Sequence, residues 1–265
     1  MKRDAESDHS GREIARDDGP GEGAQHVDKL NQKADKRHRV GKEQSMWNAS
    51  IAHELRTPVT ILRGRLQGLA EGVFPPQESL FRTLLGQVEG LSRLIEDLRV
   101  VSLADSGHLQ LHSEWIDLSA EITAFATLLQ PELRTEGISL QLSVPDRRAF
   151  CDIVRIRQLL LILIENARIH ATPSEIHIVA QVLQDSTLRL QVLDNGSGIP
   201  QAISSKIFEP FVKNSQPGAG KRAGSGLGLA VVRAIIQASG GTVSITDNDP
   251  KGTCVNISLP PPARV

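Results

Sequence analysis

The amino-acid sequence predicts an α plus α+β protein, in which a helical hairpin precedes a layer of helices packed on a sheet. Two apolar heptad patterns, in steps of four and three, are separated by Phe74-Pro75-Pro76. Such patterns are typical of helices that pack lengthwise, and the prolines predict a tight turn between them. After Asp117, segments with helical spacing alternate with segments of period-two spacing. This alternation predicts an α/β sandwich with a mixed or antiparallel sheet.

The first heptad pattern predicts a helix from about Lys42 to Gly72, with a candidate reactive histidine on its exposed face. The apolar seam consists of Leu55, Val59, Leu62, Leu66, Leu69 and Val73. In this register His53 and Thr57 lie one turn apart, away from the seam, with Glu54 beside them. A neutral imidazole exposed to water next to a carboxylate can act as a nucleophile, although a merely solvated surface histidine has the same pattern.

The second heptad pattern predicts a helix from about Gln77 to Ala104. Its seam consists of Leu84, Val88, Leu91, Ile95 and Leu98. Two helices alone are too thin to bury their apolar faces, so we expect an antiparallel hairpin that pairs with an identical copy in a dimeric four-helix bundle. The alternative is that the second helix packs against the rest of the same chain.

These patterns divide the chain into four segments. Residues 1–41 are polar and rich in interleaved charge, and we expect them to be disordered. Residues 42–108 form the predicted hairpin, residues 109–117 a linker, and residues 118–262 the α+β domain.

The composition argues against several classes of function. The net charge is −1, aromatic residues make up 3% and tyrosine is absent, so nucleic acid is not an expected partner. The two cysteines are too few for a disulfide framework or a zinc site and suit a reducing compartment. The longest apolar run, Leu159 to Ile164, is too short to cross a bilayer. We therefore expect a cytoplasmic chain without a membrane segment.

Candidate binding residues lie in four stretches of the second domain, and the first two centre on Asn166 and Asp194. Asn166 lies in a strongly apolar helix predicted over about 155–171. Asparagine is costly to bury unpaired, so a metal ion, a phosphate or a backbone hydrogen bond should satisfy it. Asp194 ends a strand and is followed by Gly196 and Gly198. That pattern lets the backbone approach a ligand closely, and it is also common in plain turns.

The third and fourth stretches follow Asp194 in the sequence. The third, Ile207-Phe208-Glu209-Pro210-Phe211, is apolar and is expected to pack as a clamp. The fourth, Gly224-Ser225-Gly226-Leu227-Gly228-Leu229, opens a helix predicted to end at Ala238. Glycines at a helix start present free amides to anionic groups. The spacing matches neither the dinucleotide fingerprint, which needs glycine at 229, nor the Walker loop.

The sequence His53-Glu54-Leu55-Arg56-Thr57-Pro58 resembles the phospho-acceptor box of sensor histidine kinases. The four later stretches are similar to the N, G1, F and G2 boxes of that family's ATP-binding domain, in the same order. The resemblance extends over about residues 42–262. It implies that His53 is phosphorylated, that Glu54 assists, and that Thr57 helps to hydrolyse the phosphate on a partner protein.

The same resemblance implies that the second domain binds ATP and Mg²⁺. Asp194 would accept a hydrogen bond from the adenine amino group, and Asn166 would bind the Mg²⁺ that bridges the phosphates. The remaining nucleotide contacts that it implies are Gly196, Gly198, Gly224, Gly226, Leu227 and Gly228. Residues 213–222 would form a lid, in which Lys213, Lys221 and Arg222 are available to the γ-phosphate.

Two residues of the apolar helix depart from the family pattern. Ile162 stands where the family usually has asparagine, and Ile169 stands where it usually has lysine or arginine. Arg168 is adjacent in sequence but points about 100° away around the helix, so we do not expect it to substitute for a basic residue at 169.

The expected function is that of an ATP-dependent protein histidine kinase. It would autophosphorylate His53, pass the phosphoryl group to an aspartate of a response regulator, and also act as a phosphatase of that regulator. The alternative is a degenerate kinase that works mainly as a phosphatase, or a nucleotide-binding dimeric scaffold. The expected partners are a response regulator and a second copy of the chain.

Overall fold

The computed structural model describes residues 22–213 and 225–261. The chain divides into two compact units that meet in sequence between His53 and Glu54. The first described helix, α1 (Glu22–Ala70), begins twenty residues earlier than the sequence predicts. Residues 22–41 are therefore helical rather than disordered, and residues 1–21 lie outside the described ranges. No proline or glycine occurs between Ala24 and Val40, where alanine, glutamine, lysine and arginine favour a helix.

The helical hairpin has the predicted order. Helix α1 continues through Pro58 to Ala70, and α2 (Glu78–Asp105) begins after the turn at residues 71–77. At that turn the amides of Val73 and Phe74 both donate to the carbonyl of Gly68, at 2.8 and 3.0 Å. The Phe74 ring covers Gly68 so closely that an added Cβ would lie 2.5 Å from it, so the turn requires glycine at this position.

Only half of the predicted seam is covered. The seam residues with little or intermediate exposure are Leu55, Leu62, Leu69, Leu84, Leu91 and Leu98. The alternate seam residues remain exposed: Val59, Leu66, Val73, Val88 and Ile95. Helix α2 also packs closely against α6 (Gly228–Ala238), as in the alternative considered for this helix. One side of α2 thus contacts its own chain while an apolar stripe of the hairpin stays in solvent.

The α+β layer contains a five-stranded mixed sheet. Its strands are β2 (Ser139–Ser143), β4 (Glu175–Val182), β5 (Leu188–Asp194), β6 (Thr242–Asp247) and β7 (Thr253–Leu259), in the spatial order β2-β4-β5-β7-β6. Strand β2 runs parallel to β4, and the other neighbours are antiparallel. Period-two spacing predicts one pair of neighbouring strands over residues 175–183 and 187–193 and a second pair over residues 242–245 and 252–259. Both pairs are present, as β4 with β5 and β6 with β7.

Two short strands were not predicted. Strand β1 (Glu114–Asp117) pairs antiparallel with β3 (Arg148–Cys151), so the second half of the expected linker at 109–117 is a strand. Each strand has only four residues, too few for a period-two pattern to stand out. The Trp115 and Phe150 rings lie on opposite strands with their centroids 5.7 Å apart.

The core of the layer lies between the sheet and the helices α3 (Leu118–Thr135), α4 (Ile153–Asn166) and α6. A further short helix, α5 (Gln201–Ser204), follows β5. Asp117 caps α3 by accepting from the Ala120 amide, and Asp152 caps α4 by accepting from the amides of Val154 and Arg155. Fully covered core residues include Leu118, Ile122, Leu159, Leu160, Ile176, Ile178, Leu190 and Ile235.

The apolar helix ends at Ala171 as predicted, but its last turn is π-helical. Helix α4 stops at Asn166 and continues as a π-helical turn over Ala167–Ala171, after which Thr172 has a positive φ of 50°. Single π-helical turns are frequent at functional sites. Within the ranges 22–213 and 225–261, no helix has both the length and the apolar composition that crossing a bilayer requires.

Candidate functional site

A cleft of about 960 Å³ opens between α4, the π-helical turn, the ends of β5 and β7, and the start of α6. Residues of α2 also line it. The cleft brings together six residues implicated from sequence: Asn166, Asp194, Gly198, Lys213, Gly226 and Gly228. Pockets of this size that combine an apolar lining with a few polar groups are typical of small-molecule sites.

Asn166 is the polar residue on the α4 side of this cleft. Its Nδ2 atom is buried and has no hydrogen-bond partner within the described part of the chain. A buried amide donor without a partner is rare in folded proteins and is expected to be satisfied by a bound group. The amide offers Nδ2 to a phosphate oxygen and Oδ1 to a hard cation such as Mg²⁺, which prefers oxygen ligands. The residue therefore fits the ligands that the resemblance implies.

The start of α6 lies beside Asn166. A Cβ added to Gly228 would lie 3.0 Å from Cγ2 of Ile162 and 3.7 Å from Nδ2 of Asn166. A larger residue at 228 would therefore fill the space beside the unpaired amide. The free amides at the N-terminus of α6 favour an anionic group at this place.

Asp194 is buried at the end of β5, with 7% of its surface exposed. Its Oδ1 accepts from the Gly196 amide at 2.9 Å, and its carbonyl accepts from Nδ2 of Asn248 at 2.9 Å. These two bonds hold both the side chain and the backbone of Asp194. Because a carboxylate has about four acceptor positions, the side chain can still accept a hydrogen bond from a ligand amine.

Two other residues that the resemblance implicates in nucleotide binding, Gly196 and Leu227, do not line the cleft. Gly196 packs against the π-helical turn, where an added Cβ would lie 2.4 Å from Ala171. Leu227 is fully buried, and its amide donates to Oγ of Ser225 at 3.2 Å just before α6. Gly224 lies outside the described residues, as do Lys221 and Arg222. Gly196 and Leu227 thus support the site through packing.

Phe211 and Gly226 join the two chain segments on either side of residues 214–224. The Phe211 amide donates to the Gly226 carbonyl at 2.8 Å. Both residues have positive φ angles, 64° and 75°, and a Cβ added to Gly226 would lie 3.0 Å from Cα of Phe211. The expected clamp at 207–211 is therefore in direct contact with Gly226 of the glycine-rich segment.

The three predicted catalytic residues, His53, Glu54 and Thr57, all lie on α1. His53 and Thr57 are exposed. Glu54 is less exposed, and its Oε1 accepts from Nζ of Lys213 at 2.8 Å. An exposed imidazole on a regular helix is accessible to an incoming phosphoryl group.

Arg168 is engaged by three carboxylates. Its guanidinium nitrogens lie 2.6 Å from Glu132, 2.8 Å from Glu165 and 3.4 Å from Glu136. Burial lowers the pKa of Arg168, but the hydrogen bond and charges of these glutamates outweigh it and raise the pKa above its ordinary value. The side chain therefore braces the π-helical turn against α3 and does not replace a basic residue at 169.

His170 and Thr253 are among the residues that line the cleft and that the sequence reasoning missed. His170 lies on the π-helical turn, and partial burial lowers its pKa, which favours the neutral imidazole. Thr253 is buried directly opposite Asp194 in the β5–β7 pairing. His170 could have been predicted from the sequence, because it follows Asn166 by four residues, about one helical turn. Thr253 could not, because only the strand register brings it to the site.

Comparisons with known proteins agree with this arrangement. Residues 43–107 match the His Kinase A (phospho-acceptor) domain, and residues 151–263 match the histidine kinase-, DNA gyrase B- and HSP90-like ATPase domain. The chain is 30% identical over 233 residues to the sensor histidine kinase WalK of Bacillus subtilis, covering 84% of this chain and 37% of WalK. It is 30% identical over 213 residues to the signal transduction histidine-protein kinase BaeS of Escherichia coli, covering 80% of this chain and 46% of BaeS. The chain thus spans less than half the length of these two curated relatives.

Solved structures extend the comparison. The histidine kinase AdeS of Acinetobacter baumannii is 37% identical, with a TM-score of 0.68 over 79% of this chain and 98% of that chain. The histidine kinase ThkA, solved in complex with the response regulator protein TrrA, is 25% identical, with a TM-score of 0.62 over 88% of this chain and 66% of that chain. The two domain matches, together with the 37% identity to AdeS over 98% of that chain, place this chain in the histidine kinase family.

Proposed function

We propose that this chain catalyses ATP-dependent phosphorylation of its own His53. The observation that carries the proposal is the cleft in which Asn166, whose amide has no partner among the described residues, and the buried Asp194 lie beside the N-terminus of α6. A carboxylate that can accept a hydrogen bond from a nucleobase and free amides that can bind phosphates together suit a nucleoside triphosphate. Phosphoryl transfer needs little covalent chemistry from the protein, so positioning and electrostatic stabilisation supply most of the rate.

The cleft residues divide between the two ends of the nucleotide. Asp194 accepts a hydrogen bond from the adenine amino group. Asn166, together with the amides at the start of α6, holds the phosphates, and a Mg²⁺ ion bound through Oδ1 of Asn166 would neutralise phosphate charge. Lys213 is available to the terminal phosphate, because its side chain lines the same cleft.

The acceptor is the imidazole of His53. A neutral ring nitrogen attacks the γ-phosphorus, the new N–P bond forms, and the bond from phosphorus to the bridging oxygen of ADP breaks. Glu54 orients the ring or takes its proton. The exposed position of His53 supports this role, since the ring must be reachable by a nucleotide held on another part of the molecule.

We further propose that the phosphoryl group then passes to an aspartate of a response regulator. The solved complex of the related ThkA with the response regulator protein TrrA supports a partner of this class. Thr57, one helical turn after His53, would assist the reverse hydrolysis of the regulator's phosphate. The two buried free cysteines, Cys151 and Cys254, fit a cytoplasmic setting, where ATP is available.

A homodimer completes the proposed enzyme. The exposed stripe of Val59, Leu66, Val73, Val88 and Ile95 repeats at seam positions of both hairpin helices. A second hairpin that placed the same stripe against it would bury both in a four-helix bundle.

The decisive experiment is phosphorylation with radiolabelled ATP and Mg²⁺. Wild type should become labelled, and His53→Gln should lose the label because no acceptor remains. His108→Gln is the matched control, since His108 is also exposed and lies in the loop after α2. Equal labelling of wild type and His53→Gln would reject His53 as the acceptor.

A second candidate function is favoured by Ile162 and Ile169, which both line the cleft and offer no polar group to the phosphates. In this version the protein binds ATP weakly and acts mainly as a phosphatase of its regulator. Protein that removes phosphate from a regulator but never labels itself would favour it. A purely structural nucleotide site would instead be indicated if Asp194→Asn left nucleotide binding unchanged.

A further inference from the structure

Lys213 connects the nucleotide cleft with the phospho-acceptor helix. Its Nζ donates to Oε1 of Glu54 at 2.8 Å, a contact between residues 159 positions apart. The two side chains are 37% and 21% exposed. Glu54 directly follows His53 in sequence, so the cation available to a terminal phosphate is bound to the carboxylate beside the acceptor.

The backbone close to Lys213 is held in place. Two residues earlier, the Phe211 amide donates to the Gly226 carbonyl, and both residues have left-handed backbone angles. Lys213 lines the cleft from this anchored point. Because the lysine stem is long and its ammonium is a compact charge, the same side chain can change partners without movement of the backbone.

The other arginine and lysine side chains that line the cleft, within the described ranges, are Arg93 and Arg168. Arg168 is occupied by three glutamates. Arg93 lies near Asp97, one turn along α2, and lowers the pKa of that carboxyl against the larger effect of burial. In the part of the chain that the structure describes, Lys213 has one carboxylate partner in a partly exposed ion pair, and such pairs are weak.

We propose that Lys213 exchanges partners when a triphosphate enters the cleft. Without nucleotide it binds Glu54, and with a triphosphate bound it binds the terminal phosphate. Glu54 is then released to act on His53 only when a transferable phosphoryl group is present. Lys213 therefore distinguishes triphosphate from diphosphate. The inference rests on the proposed function, because it requires that the cleft bind ATP.

The test measures nucleotide affinity rather than phosphorylation. Titration calorimetry with the full chain and Mg²⁺ compares a non-hydrolysable ATP analogue with ADP for wild type, Glu54→Gln, Lys213→Met and the double variant. Glu54→Gln removes the competitor for Lys213, so the analogue should bind about three- to five-fold more tightly, the size expected for a partly exposed ion pair. ADP affinity should not change, and in the Lys213→Met background the gain should disappear.

Glu71→Gln is the matched control, because it removes the same charge from an exposed position near the end of the same helix. It should leave both affinities unchanged. The inference is overturned if Glu54→Gln leaves analogue affinity unchanged or weakens it, if the gain appears equally with ADP, or if it persists with Lys213→Met. If wild type binds no nucleotide at all, the proposed function fails as well, whereas unaltered binding in Glu54→Gln rejects only the partner exchange.

Discussion

The hairpin and the α+β layer bury their apolar residues to very different extents. In the hairpin, Val88 and Ile95 are 46% and 53% exposed although they occupy seam positions. In the layer, Leu159 and Leu190 are fully covered by the helices and the sheet. A sheet with helices on one face can close a core within a single chain, whereas two helices cannot. The layer therefore closes its core within one chain, whereas the exposed stripe of the hairpin would be covered in the proposed homodimer.

The largest expected effect tests the exposed apolar stripe of the hairpin. The double change Leu66→Glu and Ile95→Glu would bury charge at the proposed dimer seam, and the dimer dissociation constant should rise at least about 1,000-fold. Sedimentation analysis of wild type and variant over a range of concentrations measures this change. Leu128→Glu, at a position on α3 that is 80% exposed, is the control and should leave the mass unaltered. A dimer that tolerates both glutamates would show that the stripe is not the interface.

The second prediction tests the α+β layer by truncating a leucine of its core. Leu190→Ala should reduce the free energy of unfolding by about 2–5 kcal/mol, because the neighbours of a fully buried leucine cannot relax into the cavity. Val88→Ala is the matched change in the hairpin. At a protein concentration where no dimer forms, its effect should stay below about 1 kcal/mol. Urea unfolding followed by circular dichroism measures both. Equal losses in the two variants would contradict the contrast between the regions.

The smallest expected effect concerns Asp97, a residue of α2 that lines the cleft. Burial raises the pKa of Asp97 to about 6, although Arg93 opposes this and Glu96 adds to it. The folded state therefore binds the proton more tightly than the unfolded state does. The stability that this protonation contributes is complete below about pH 4 and is lost as the pH rises through 6.

Asp97→Asn should abolish this dependence on pH. At pH 7 the variant should be more stable than wild type by about 1 kcal/mol, a value reduced because the carboxyl stays partly in contact with water. At pH 4 the two should be equal. Unfolding in urea at several pH values gives the comparison, with Glu89→Gln, an exposed position on the same helix, as the control. A difference that is the same at pH 4 and pH 7 would exclude a titrating Asp97.

The sequence was most informative where local chemistry decides the structure. Prolines and heptad spacing located the turn at 71–77, and α2 begins and ends within one residue of its predicted bounds. Strand periodicity identified the pairing of β4 with β5 and of β6 with β7. The sequence was less informative for β1 and β3, which are too short for a pattern, and for residues 22–41, whose composition resembles both a disordered chain and a charged helix.

By itself the sequence determined the two-part architecture and the chemical types available to the site, because period, turn residues and glycine placement are local properties. Asn166, Asp194, Gly226 and Gly228 were identified in this way, and all line the cleft. Only the tertiary structure decided how side chains distant in sequence pair. Among the described residues it gives the Asn166 amide no partner, and it engages Arg168 with three glutamates and joins Lys213 to Glu54. Pairing across 36 residues, as between Arg168 and Glu132, or across 159, as between Lys213 and Glu54, depends on how the elements pack, and no local pattern encodes that geometry.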